Sequence, residues 1–92
     1  MIKNIIHKGL KNFYKTGSLS GIKTDHQKRL RLILARLDII EKPEDMQLPG
    51  FDFHQLSGKM KDHFSISINK NWRIIFKFDG ADSYDVDYID YH

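Results

Sequence analysis

The sequence contains no cysteine, which excludes disulfide bonds and thiolate chemistry. It also has no Gly-rich phosphate loop, no dinucleotide fingerprint and no G-x-S-x-G nucleophile motif. Long apolar runs are missing, since the longest is Leu32–Ala35. The chain is therefore predicted to have neither a signal peptide nor a membrane span, and to be cytoplasmic.

The length of 92 residues predicts one domain, residues 1–92, because two hydrophobic cores would not fit. The net charge is +3, and the basic residues are unevenly placed. Residues 1–50 hold ten Lys and Arg against five Asp and Glu, whereas residues 51–92 hold five against seven. A polyanionic partner and an ordinary solvated helix face both explain this modest excess.

The beginning of the chain is patterned as a short helix. Leu10, Phe13 and Tyr14 recur at helical spacing, and Gly17 can close the helix in a C-cap role. The apolar stretch Ile2–Ile6 before it is compatible with an edge strand.

A longer second helix is predicted between Thr24 and Pro43. Thr24 and Gln27 have capping-box spacing and Pro43 cannot continue a helix, which leaves about eighteen residues or roughly 27 Å. One face carries the apolar residues Leu30, Ile33, Leu34, Leu37 and Ile40. A second apolar stripe lies opposite and consists of Leu32, Ala35 and Ile39. Because a helix apolar on two sides is covered on two sides, we expect the first helix to cover this stripe, and a protein partner is the alternative.

The second half is patterned as an antiparallel meander. Apolar and polar residues alternate over 64–68, 72–78 and 84–89, and turn-forming residues occupy 69–71 and 79–82. The face that we expect to meet the long helix carries Phe64, Ile66, Ile68, Trp72, Ile74, Phe76, Phe78, Tyr84, Val86 and Tyr88. The open face carries Ser65, Ser67, Arg73, Lys77, Asp85 and Asp87.

Arg73 and Lys77 on an open sheet face can bind phosphate, although such cations more often serve solubility. The chain ends in Asp90, Tyr91 and His92, whereas loose ends tend to be small and polar. A tyrosine can stack on a base, and an imidazole can transfer a proton near neutral pH. From the residues alone, a phosphate-binding site and an incidental polar tail both stay open.

No metal or other cofactor is expected. The five histidines show no metal-ligand spacing, and no cysteine accompanies them. Asp85, Asp87 and Asp90 are the residue type of a Mg²⁺-dependent nuclease, but Arg73 and Lys77 on the same face would repel the ion.

The stretch Asn71–Phe78, the segment Asp85–Tyr88 and the terminal Asp90–His92 resemble the HigB family of plasmid-maintenance killer toxins, within the RelE/ParE superfamily. Further stretches with this resemblance are Met1–Lys3, His7–Leu10 and His54–Gly58. The resemblance covers nearly the whole chain, and the Asn-Trp-Arg signature with a terminal Asp-Tyr-His is typical of the HigB branch.

This resemblance implies an α+β fold of the RelE type, in which two N-terminal helices pack on a small, mostly antiparallel sheet. It also implies a type II toxin that cuts messenger RNA in the ribosomal A site without a metal, and a HigA-type helix-turn-helix antitoxin as its partner. The catalytic residues carried over by position are His54, Arg73, Asp90, Tyr91 and His92. The candidate RNA-binding residues are Lys59, Lys61 and Lys77.

Each catalytic candidate has a chemical role in attack of the RNA 2′-OH on the adjacent phosphate. Arg73 is expected to bind two oxygens of the reacting phosphate. His54 and His92 are candidates for base and acid, in an order that the sequence leaves open. We expect Tyr91 to orient or stack on the nucleotide, and Asp90 to position its neighbours.

The sequence departs from the family at Ser57, because members usually have Lys after the position of Leu56. The nearest basic residues are Lys59 and Lys61, and we expect Lys59 to compensate in part. Phe64 stands where the family commonly has Trp.

Two rival functions remain open at this point. One is a ParE-like toxin that inhibits DNA gyrase by protein contact, against which the terminal Asp-Tyr-His argues. The other is a non-catalytic homologue kept for antitoxin binding, which Ser57 favours.

Overall fold

The computed structural model describes residues 1–90, and Tyr91 and His92 lie outside the described residues. The helices are α1 (Lys8–Thr16) and α2 (Gln27–Leu37). The strands are β1 (His54–Gln55), β2 (Phe64–Ser67), β3 (Trp72–Asp79) and β4 (Asp82–Asp90). They form one sheet in the order β1-β2-β3-β4, with each neighbouring pair antiparallel. The predicted α+β class, two helices packed on this sheet, is confirmed.

The N-terminal segment lies along the outer edge of β4. The backbone N–H groups of Lys3 and Ile6 donate to the carbonyl oxygens of Ser83 and Val86, both at 2.8 Å. The segment runs parallel to β4. The segment Ile2–Ile6 therefore follows the sheet edge through two isolated parallel bridges, but it does not form the strand that its sequence suggested.

Helix α1 follows its sequence pattern closely. Leu10 and Phe13 are buried, while Tyr14 stays partly exposed. The side chain of His7 caps the start by accepting from the Leu10 N–H at 3.0 Å. Gly17 adopts a left-handed conformation (φ 79°), and its N–H donates to the Phe13 carbonyl, so the predicted C-cap is confirmed.

Helix α2 begins later than predicted, and the capping box at Thr24 is wrong. Residues Thr24–His26 form a 3₁₀ turn, and α2 starts at Gln27 without a side-chain cap. The reason is tertiary, because His26 at this position is pulled into the core and is only 2% exposed.

The end of α2 is set by Asp38 and not by Pro43. The Asp38 carboxylate accepts hydrogen bonds from the Ile2 backbone N–H at 2.9 Å and from the Tyr14 hydroxyl at 2.7 Å. Burial and this contact raise the pKa of Tyr14 to about 12. The chain leaves the helix here, and Pro43 begins a separate 3₁₀ turn, Pro43–Met46.

The second apolar stripe predicted for the long helix is uncovered, and its last residue lies beyond the end of α2. Leu32 is 51% exposed and Ile39 is 74% exposed, and Ala35 is exposed as well. The expectation that the first helix covers this stripe is therefore wrong. The alternative, cover by a protein partner, stays a prediction.

The meander is confirmed, except for one reversal of side-chain direction in β4. A bulge lies opposite the β3 stretch from Ile75 to Lys77, and Asp85 there has φ 49°. Because of the extra residue, Ser83 points to the helices, where its hydroxyl donates to the Leu37 carbonyl. Tyr84 pairs with Lys77 and faces the open side, so its predicted place among the apolar residues is wrong.

A polar cluster around the buried His26 joins the start of α2 to the sheet. His26 contacts the Tyr88 hydroxyl through Nδ1 at 2.6 Å and the Asn69 amide nitrogen through Nε2 at 2.7 Å. The Asn69 oxygen already accepts from two backbone N–H groups, so its amide nitrogen donates to His26 Nε2. This arrangement requires a neutral ring, and burial lowers the pKa of His26 accordingly.

Candidate active site

Arg73 lies on the sheet face that points away from the helices. In the β2–β3 register its partner is Ser67, and its Nη1 donates to the hydroxyl of Ser65 at 3.1 Å. Ser65 is fully buried beneath it, and the Arg73 side chain is only 16% exposed. The Ser65 hydroxyl thus holds the guanidinium close to the sheet. The prediction that Arg73 lies on the open face is confirmed.

Asp52 is the partner of Arg73 that sequence reasoning missed. Its carboxylate lies 2.9 Å from Arg73 Nη2, and the Asp52 side chain is 65% exposed. The hydrogen bond and charge of Arg73 lower the pKa of the Asp52 carboxyl, so this group stays ionised. The turn signal Pro49-Gly50 precedes it, but no local pattern links a loop aspartate to an arginine twenty-one positions away.

His54 stands on the same face as Arg73. It forms β1 with Gln55, and its register partner in β2 is Ser65, the residue that also accepts from Arg73. Its Nδ1 lies 3.0 Å from the backbone carbonyl oxygen of Asp52. Two predicted site residues, His54 and Arg73, are therefore brought together, with Asp52 contacting both.

A small cavity of about 200 Å³ opens beside His54. Its lining residues are His54, Gln55, Leu56, Ser57, Met60 and Ile89. Ser57, for which the sequence resemblance predicts a lysine in related toxins, thus lies in the wall of this cavity. Lys59 and Lys61 are exposed on the turn that follows, and they are not among the described residues that line this cavity.

Lys77 lies on the same strand but further from this centre. Four residues along β3 correspond to about 13 Å, and its ammonium pairs with Asp85 at 3.6 Å. It borders a wider open groove of about 680 Å³ with Tyr84 and Asp62. The structure therefore places Lys77 outside the immediate surroundings of Arg73.

The last described residues of β4 lie beside Arg73 and Trp72. Ile89 pairs with Arg73, and Asp90 pairs with Trp72. Asp90 is exposed and engages other groups. The remaining two predicted site residues, Tyr91 and His92, lie outside the described residues.

The described part of the chain, residues 1–90, contains no group of three or more His, Asp or Glu side chains arranged to hold a metal ion. Within the same residues, no helix has the length and apolar character to cross a membrane.

Chemically, the described site offers a guanidinium with two fixed contacts, an imidazole and a shallow open surface. An arginine held flat can bind an anionic phosphate through two donors. An adjacent imidazole can accept or donate a proton. This combination suits acid–base chemistry at a phosphodiester.

A family model described as "RelE-like toxin of type II toxin-antitoxin system HigB" matches residues 3–92. The curated protein Endoribonuclease HigB of Proteus vulgaris is 34% identical over 92 residues, which covers the whole of both chains.

Two solved structures are similar to the fold. The YoeB/ParE toxin from Agrobacterium tumefaciens superposes with a TM-score of 0.58 at 11% identity, covering 100% of this chain and 99% of that one. A copper-bound mutant toxin from Helicobacter pylori superposes with a TM-score of 0.54 at 16% identity, covering 97% and 91%. At such low identity these likenesses establish the fold alone.

Proposed function

We propose that this chain, which belongs to the HigB-like family of RelE-like type II toxins and is an endoribonuclease, cuts messenger RNA in the ribosomal A site. Membership of a type II system implies an antitoxin partner. The single structural observation that carries the proposal is that Arg73 and His54 lie on one open face of the sheet, where both contact Asp52.

The proposed reaction is an internal transfer at the phosphodiester. The 2′-oxygen forms a bond to phosphorus while the bond from phosphorus to the 5′-oxygen breaks. A base takes the 2′-OH proton and an acid gives one to the leaving 5′-oxygen, each contributing about 10²–10⁴-fold. Arg73 binds the phosphate, where negative charge accumulates in the transition state. No step requires a metal.

The roles of the remaining candidates follow from their places. His54 and His92 share the base and acid roles, Tyr91 orients or stacks on the nucleotide, and Asp90 positions its neighbours. The exposed residues Lys59 and Lys61 and the half-buried Lys77 contact RNA phosphates away from the cut. The open site leaves part of the substrate geometry to the ribosome, which supports an A-site reaction.

We further propose a HigA-type helix-turn-helix protein as the antitoxin. The exposed apolar residues Leu32 and Ala35 of α2, with Ile39 just beyond its end, are a candidate surface for it because they lie on the helix side of the molecule, away from Arg73.

The test is a transcriptome-wide map of messenger RNA ends after brief induction of the chain in a bacterial host. We expect cuts in translated regions, phased with codons, that vanish when translation initiation is blocked. Purified protein should cut ribosome-bound messenger RNA well and free RNA poorly, with or without a chelator in the free-RNA assay. Growth arrest without such cuts would contradict the proposal, and gyrase-dependent DNA damage would indicate the ParE-like alternative.

A further inference from the structure

The two candidate groups of the site are joined by a residue that has no assigned role. We propose that Asp52 is a positioning residue, which fixes the Arg73 guanidinium with its carboxylate and the tautomer of His54 with its backbone carbonyl. This inference rests on the proposed ribonuclease function and adds an order to its acid–base roles.

The backbone of Asp52 is held in place by the helix layer. Phe51, the preceding residue, is 3% exposed, and its carbonyl accepts from the Ser67 N–H at 2.7 Å. Arg29 of α2 lies over the Phe51 ring at 4.6 Å and donates to the carbonyls of Ser67 and Gly50. The loop is therefore anchored to both α2 and β2, so the Asp52 carbonyl occupies a defined position.

That carbonyl decides which nitrogen of His54 carries the proton. A carbonyl oxygen can only accept, so the 3.0 Å contact requires Nδ1 of His54 to be the donor. A neutral imidazole with a proton on Nδ1 has its lone pair on Nε2. Nε2 is then the atom able to take the proton of the 2′-OH, which makes His54 the base and leaves the acid role to another group.

The carboxylate acts on Arg73. Its contact with Nη2 at 2.9 Å and the contact of Nη1 with the Ser65 hydroxyl at 3.1 Å fix the guanidinium plane at two points. Asp52 is itself negative, so it cannot contribute attraction to a phosphate. Its removal should therefore lower kcat by misplacing Arg73, without raising KM.

The central variant is Asp52→Asn. Asp52 has φ 47°, a left-handed conformation that asparagine also tolerates, so this change removes the charge while preserving the carbonyl. Glu44→Gln is the matched control, since Glu44 is an exposed carboxylate in the 3₁₀ turn that follows α2. We expect kcat for ribosome-bound messenger RNA to fall about tenfold in Asp52→Asn with KM unchanged or lower, and to be unchanged in Glu44→Gln.

Two further measurements distinguish positioning from a merely structural effect. In an Arg73→Ala background, Asp52→Asn should cause no additional loss, because the carboxylate acts through Arg73. Nitrogen-15 NMR of the imidazoles should show His54 as the Nδ1–H tautomer in both the wild-type protein and Asp52→Asn. This readout needs no catalytic activity.

Three outcomes would overturn the inference. They are an unchanged kcat in Asp52→Asn, a further loss in the Arg73→Ala background, and a wild-type His54 that is predominantly the Nε2–H tautomer. Failure of the proposed function looks different, since the wild-type protein would then not cut ribosome-bound RNA at all. If His54→Ala and Arg73→Ala lose cleavage while Asp52→Asn does not, only the role of Asp52 is refuted.

Discussion

Replacing Arg73 by lysine separates the geometry of the guanidinium from its charge. In the structure its two terminal nitrogens point to different acceptors, the Ser65 hydroxyl at 3.1 Å and the Asp52 carboxylate at 2.9 Å. A lysine ammonium keeps the charge but cannot reproduce this planar fork. If the fork stabilises the phosphate in the transition state, Arg73→Lys should lose much of the activity that Arg73→Ala loses.

The expected loss of activity is taken from the effect of removing one preorganised hydrogen-bond donor from other active sites. Loss of one preorganised donor costs roughly 2.7–4 kcal/mol of transition-state stabilisation, or about 10²–10³-fold in rate. We expect a loss of this size for Arg73→Ala and a loss of at least tenfold for Arg73→Lys. Cleavage is measured by primer extension on messenger RNA bound to ribosomes, under single-turnover conditions.

The folding control is quantitative. Arg73→Ala leaves the buried Ser65 hydroxyl without this donor, a cost of about 1–3 kcal/mol. Domains of this size are typically stable by about 5–15 kcal/mol, so the variant should stay folded with a melting temperature lower by about 4–8 °C per kcal/mol. Lys15→Ala removes a charge from the last turn of α1, on the helix side of the molecule. We expect this variant to have the cleavage rate and the melting temperature of the wild-type protein. A folded Arg73→Ala protein that cleaves within threefold of the wild-type rate would refute the reasoning.

Four other predictions follow from the structure. The free energy of unfolding should fall as pH drops below about 6.5, because burial lowers the folded-state pKa of His26, so the unfolded chain binds a proton that the folded protein does not. Urea titrations from pH 8 to 5 test this, and His26→Phe should reduce the dependence of the unfolding free energy on pH. Trp72→Ala should destabilise the protein by about 3 kcal/mol or more, since its ring packs 4.6 Å from that of a core tyrosine; equal unfolding midpoints for variant and wild type would contradict this. Combined Leu32→Asp and Ile39→Asp should leave toxicity intact but abolish rescue of growth by the co-expressed antitoxin, and full rescue would locate the antitoxin elsewhere. Lys59→Ala should slow cleavage by about 10- to 100-fold if this lysine compensates for the missing family lysine, whereas a silent change would show that it does not.

The sequence alone predicted those features that depend on residues close together in the chain. The alternation over the meander, the helical spacing of Leu10 and Phe13 and the left-handed stop at Gly17 each depend on neighbours within one turn or one strand. Arg73 and His54 were named because they lie in stretches that resemble a family, and the structure places both on one face.

Only the tertiary structure decided where the long helix begins and ends and where the alternation along β4 is broken. Burial of His26 shifts the start of α2, and the contacts of Asp38 with two distant segments shift its end, so neither limit is written in the local sequence. One inserted residue at the bulge turns Tyr84 to the opposite face, because side-chain direction alternates with a period of two.

The candidate active site shows the same division. The sequence determined which side chains were chemically able to act on a phosphodiester, because this depends on the type of side chain. The role of Asp52 depends on a loop that α2 and β2 hold beside β3, and the chain between Asp52 and Arg73 gives no periodic signal of that contact. Contacts between distant positions arise from packing of the whole core, and for this reason only the folded structure joins Asp52 to Arg73 and His54.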